Sequence, residues 1–191
     1  MKFDDLKIIF PSATLDTWHV HTNGGGWVEN TAKVTDSAYV GPDALVSENA
    51  VVSGNARVTA NATISGHAEV FGNAEVFGDA QVFGDAWVYG DAMVSGDAEV
   101  SGDAEVSGNA VVYGSSRVYG CARVFGNASV FGGALVFDDA QVYGNARVSV
   151  TAQVYGSAQV FGDARVSGNA RVSEDAEVSG NARVSGNTLI D

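Results

Sequence analysis

Few residues of this 191-residue chain could do chemistry: three histidines, one cysteine and the carboxylates among 23 acidic side chains. His19 and His21 flank Val20, so in an extended segment both imidazoles project to one face, near Trp18, and could begin a metal site. No cysteine or third histidine stands close enough to complete it, and a surface position accounts for both; no metal ligands are assigned. Gly24-Gly25-Gly26 lacks the Lys and Ser/Thr of a phosphate-cradling loop and reads as a tight turn. Cys121 has no adjacent His or Lys to depress its thiol pKa, and a lone cysteine cannot close an intrachain disulfide. His67 is then the one candidate general base, and its rival reading is a solvated surface imidazole.

The elements that must position these groups follow from one repeat. From Val28, every sixth residue to position 190 is Val or Ile, 28 positions without an insertion or deletion, of which only Ile64 and Ile190 are not Val. Four residues after each of the first 27 stands a small residue, Ala in 25 cases and otherwise Ser116 or Thr188. Gly fills 19 of the 27 slots two residues after, and the next slot is mostly Asn or Asp, so the unit reads Val-x-Gly-(Asn/Asp)-Ala-x. Ala, x and Val alternate with period two, as in Ala146-Arg147-Val148, which makes a short strand with Ala and Val on one face. Gly and Asn or Asp tolerate positive φ, so the chain turns every six residues, and a period of six with Gly inside it fits no helical stripe. Strands bent the same way at every corner cannot form hairpins; they coil, each stacking on its counterpart one turn later. Three six-residue sides give an 18-residue coil, about nine coils and a rod roughly 45 Å long.

The pattern, with Val58–Ala62 and Val166–Ala170 as typical pairs, resembles the hexapeptide-repeat family over residues 28 to 190. The expected fold is therefore all-β, a single-stranded parallel β-helix. The resemblance implies a left-handed coil, whereas general rules for parallel crossovers favour the right hand. Gly25-Gly26-Trp27-Val28-Glu29 ahead of the repeats is similar to a bacterial and phage-encoded subgroup labelled as acyltransferases. Such transferases use a catalytic His, a loop protruding from the coils, a trimer with active sites between subunits and often a C-terminal helix; acyl-CoA would be the cofactor and His67 the base. Here the period never slips to make a loop, and one coil histidine cannot supply the three that related zinc enzymes place on adjacent subunits. The corner residues Asp79, Asp85, Asp91, Asp97 and Asp103 lack the glycine-aspartate nonapeptide of calcium-binding solenoids.

Residues 1–27 do not repeat and read as an N-terminal cap on the β-helix of residues 28–191; Phe3, Leu6, Ile8, Ile9, Phe10, Leu15, Trp18 and Trp27 could cover the first coil. At the other end Leu189 and Ile190 either fold under the last coil or meet a second copy of the chain. The slot after Val holds 12 aromatics, aligned at 18-residue spacing as Phe125, Tyr143, Phe161 and as Tyr119, Phe137, Tyr155. One coil is about 4.8 Å, within aromatic pairing range, so the rings could stack as ladders that pin register, or form an apolar stripe that buries against a partner.

Charge is segregated. No Lys or Arg lies between Val58 and Ser116, where nine acids run from Glu69 to Glu105, while Arg147, Arg165 and Arg183 fall in one column. Both could be solvated faces; the sharper reading is antiparallel self-association, acidic belt against arginine ladder. A formal net charge of −13 disfavours nucleic acid and anionic membrane surfaces, and no apolar run of about 20 residues suggests a membrane helix. The start lacks a basic and apolar leader, so a cytoplasmic location is expected, or a virion-associated one for a phage gene. Together these features point to a structural or protein-interaction solenoid forming a dimer or trimer and needing no cofactor. The alternatives are an acyl-CoA-dependent transferase and an acidic nucleic-acid mimic that occupies a basic protein.

Overall fold

A computed structural model describes residues 1–191. The short alternating units build strands of mostly two residues, and each pairs in parallel with the strand 18 residues on, as in Val82↔Val100 and Val100↔Val118. The chain is thus a parallel β-solenoid of about nine turns with three sheets. Sheet 1 has 11 strands and ends at Leu189–Ile190, and sheets 2 and 3 have nine each, ending at Glu177–Val178 and Arg183–Val184. Backbone N–H groups of one coil donate to carbonyls of the next with little variation: Glu75 to Ala92 at 2.9 Å, Phe77 to Val94 at 3.0 Å and Asp79 to Gly96 at 2.9 Å.

Val and Ala fill the interior, a single cluster of 50 buried residues in which every position from Ala38 to Val172 is inaccessible to solvent. Ser116 replaces Ala there without a polar penalty, because its hydroxyl donates to Tyr113 O at 3.0 Å. The corners depart from the sequence expectation in one respect. Positive φ falls on the Gly slot alone, for example +69° at Gly102, and not on the Asn or Asp that follows. Those amides form ladders instead. Asn55 Nδ2 donates to Asn73 and Asn73 to Asp91, and a second chain runs Asn109, Asn127, Asn145 to Asp163. Each chain stops at an Asp because a carboxylate accepts but cannot donate onward.

The residues before the coils form helix α1 (Phe3–Ile9) and strand β1 (Trp18–Val20). Strand β1 pairs antiparallel with β2 (Trp27–Glu29) and so occupies the first edge of sheet 1. Gly26 N–H donates to Val40 O, and Val40 N–H to Asn23 O, which ties the intervening loop to the first strand of sheet 3. Leu6, Ala13 and Trp18 pack with Trp27 and Leu45 in a cluster separate from the coil interior, and since Trp27 and Leu45 are outward-facing strand positions, this apolar mass lies on the flank of sheet 1. Of the residues expected to cover the first coil, Ile8, Ile9 and Leu15 are exposed. At the other end Leu189 and Ile190 do not fold under; they pair with Arg171–Val172 as one more rung, and Leu189 is exposed.

Candidate functional site

The features that could act on another molecule are the outward columns, because the solenoid sets one copy of each slot directly above the next. Tyr119, Phe137 and Tyr155 stack at 5.0 Å between centroids with interplanar angles of 3° and 5°. Phe125, Tyr143 and Phe161 stack at 4.9 and 5.0 Å with angles of 4° and 3°. Shorter stacks join Phe71 to Tyr89 and Tyr113 to Phe131, each at 4.9 Å. Identical backbone corners impose this face-to-face geometry, and the contact offsets the poor quadrupole alignment of parallel rings with buried area. The six rings of the two long stacks are half-buried; Tyr113 and Phe83 project further.

Tyr119 has its phenol pKa raised above 10.0, first by burial, then by the Asp138 carboxylate, with Arg117 opposing. A raised phenol pKa favours the folded state below the unfolded pKa of about 10, and that contribution is lost as pH climbs through the folded value. In an alkaline absorbance titration of the six tyrosines, Tyr119→Phe is expected to remove the last-ionising fraction. Persistence of that fraction in the variant would assign it to another ring.

Charged side chains on the strands pair along the rod. Arg117 Nε lies 3.2 Å from Glu99, Arg123 Nη2 2.9 Å from Glu105 and Arg57 Nε 3.8 Å from Glu75, each pair one rung apart. Arg147, Arg165 and Arg183 are different: they occupy successive rungs of sheet 3, all exposed, and none has a carboxylate within 4.0 Å. Asp163, the nearest acid in sequence, accepts Asn145 Nδ2 at 3.0 Å instead.

The candidate catalytic and metal residues are dispersed. His67 is an exposed corner residue one coil before Asp85; its backbone N–H donates to Gly84 O, and its ring makes no hydrogen bond. His19 is exposed with Nδ1 2.7 Å from Asn30 Oδ1, whereas His21 is buried with Nε2 3.1 Å from Ala38 O, so each imidazole has its own partner and the pair builds no shared site. Cys121 is an exposed free thiol. No group of three or more His, Cys, Asp or Glu side chains converges, including the corner aspartates. Gly24 and Gly25 have φ of +117° and +82°, and a Cβ at Gly24 would lie 2.2 Å from Val40 O, so these glycines make the close turn onto the first coil.

Two surface grooves follow the corners. One of about 500 Å³ runs between Thr151, Asn169 and Asn187 on one side and Gln153, Arg171 and Leu189 on the other. The other, about 410 Å³, is lined by Asp85, Trp87, Asp103 and Glu105. The exposed indole of Trp87 stands at its edge, and the signal for it in the sequence is a Trp in a slot that holds Glu69, Glu75 and Gln81 in the three preceding repeats.

Residues 52–66, 104–120, 140–156, 158–174 and 164–177 match a family model described as the YdcK beta-solenoid repeat, over more than a third of the chain. No curated protein matches the chain. The resemblance is one of repeat architecture: a β-solenoid repeat protein, with its surface columns set by the coil.

Proposed function

We propose that this chain is a structural or protein-interaction solenoid that self-associates, presenting repeated side-chain columns on a stiff rod. The observation that carries this reading is the contrast between inside and outside. The interior is a uniform Val and Ala column that serves stability alone, while the exterior is segregated into aromatic stacks, an acidic stretch and an arginine column. The backbone ladder and the interior join the coils whatever stands in the outward slots, so the grouping of outward residues by type is not required by the coil itself. Under this reading the aromatic stacks and the arginine column are contact surfaces, and residues 1–27 act as the N-terminal cap. The hexapeptide acyltransferase alternative rests on His67, and its distinguishing outcome is a trimer that binds acyl-CoA and loses that binding on His67→Ala.

Sedimentation equilibrium of the full chain tests the proposal. A mass that is a multiple of 19.6 kDa is expected at micromolar concentration. A 19.6 kDa particle at every concentration would overturn self-association.

A further inference from the structure

We infer that two copies of the chain pair antiparallel through the outer face of sheet 3, the arginine end of each lying on the acidic end of the other. This rests on the self-association reading above and names the face that serves it. Read along successive rungs, the outward residues of sheet 3 are negative at Glu75, apolar at Met93 and Val111, neutral at Ser129 and positive at Arg147, Arg165 and Arg183. From Glu75 to Arg183 is six rungs, about 29 Å at about 4.8 Å each. The negative end is reinforced by Asp79 and Asp97, exposed on successive coils of the corner that follows this sheet. Asp79 accepts only Asn61 Nδ2, and Asp97 has neither a hydrogen-bond partner nor a cation. The centre is apolar: Met93 and Val111 are half-exposed on the strands, with the exposed ring of Tyr113 beside them.

Like charges stacked one rung apart are unfavourable; Arg57, Arg117 and Arg123 each sit next to a glutamate, and Arg171 stands singly between Gln153 and Leu189. Three consecutive arginines without an acid therefore point outward for their counter-charge. A second copy meets the requirement in sign and in spacing, because a parallel solenoid carries its carboxylates at the same rung interval as the arginines. A two-fold axis across the rods between the Val111 and Ser129 rungs sets Arg147 against the rung of Asp97, and Arg165 against the rung of Asp79. Arg183 then falls opposite Arg57, whose charge is already shared with Glu75 and the Tyr39 ring, 4.7 Å away. The symmetry uses each contact twice and closes the pair, whereas a parallel shift would repeat without end. A linear polyanion fits less well, since it would extend from the arginines onto the negative end of the face in a chain of net charge −13.

The test pairs two charge-reversed variants, Arg147→Glu with Arg165→Glu, and Asp79→Lys with Asp97→Lys, all at exposed positions. In sedimentation velocity at low salt the wild type is expected to be a dimer that weakens toward 1 M salt, where the screening length is about 3 Å. Each variant alone places like charges across both contacts and is expected to dimerise at least about tenfold more weakly, about 1.4 kcal/mol or more. An equimolar mixture of the two restores complementary charge at both contacts and is expected to recover the dimer, which misfolded chains could not do. If the wild type is a dimer but the variants dimerise unchanged, or the mixture stays monomeric, this face is wrong while self-association stands. A wild type monomeric throughout overturns both, and a monomer that binds inorganic polyphosphate through Arg147 and Arg165 reassigns the ladder to a polyanion.

Discussion

Val100→Asp is expected to divide the rod. Val100 is fully buried, with Val82 and Val118 on the rungs either side of it in sheet 1. A carboxylate there has no water and no cation, and an uncompensated buried charge costs about 3–5 kcal/mol. Each coil touches only its neighbours, so the damage stays local and distant coils keep their contacts. Denaturant unfolding should then split into two transitions, with limited proteolysis cutting near residue 100. A single transition within about 1 kcal/mol of the wild type would show that the Val column is not the stabilising spine.

The corner glycines come next in size. At Gly66 φ is +71°, and a Cβ would lie 2.7 Å from the nitrogen and 2.8 Å from the oxygen of Gly84 on the following coil. Gly66→Val combines a left-handed backbone, about 1–2 kcal/mol for an L-residue, with a backbone clash of similar size, and a total loss of about 2–4 kcal/mol is expected. The chain also contains the converse case. Val150 occupies the same slot with φ +67° and is exposed, an unfavourable conformation for a β-branched residue. Val150→Gly should therefore raise stability by about 1 kcal/mol. Denaturant midpoints of the two variants moving in opposite directions would support this account; equal shifts would count against it.

Stability and surface are separate problems in this architecture. The interior could be lengthened or shortened by whole coils with the columns left in register, and within this chain the outward slots vary from coil to coil while the Val and Ala slots do not. The three arginines of sheet 3 show this freedom: Arg147, Arg165 and Arg183 share backbone positions with Glu75 and Met93, and the coil geometry is the same at each. What distinguishes them from Arg57 in the same sheet is that they lie on consecutive rungs without an intramolecular partner, and that gives the proposed pairing its direction.

By itself the amino-acid order determined the coil. A six-residue period kept for 28 units specifies which side chain points inward, where the chain turns and, with three sides, which residues meet 18 apart. It thus predicted the aromatic stacks, because neighbours in a column are neighbours by arithmetic. The same arithmetic held the Asn ladders and the Arg117–Glu99 pair, although Asn and Asp read first as turn formers. Three things were decided only in the tertiary structure. The non-repeating residues 1–27 have no period to be read from, and α1 lies against Trp27 and Leu45 because those two outward side chains are the apolar ones at that flank. Asp163 answers to Asn145 rather than to an arginine because the corner amide is the closer donor. Positive φ settles on the first corner slot and not on the Asn or Asp after it, even where that slot holds Ala60 or Val150, and Gly suits it best because the next coil leaves about 3.0 Å where a Cβ would stand.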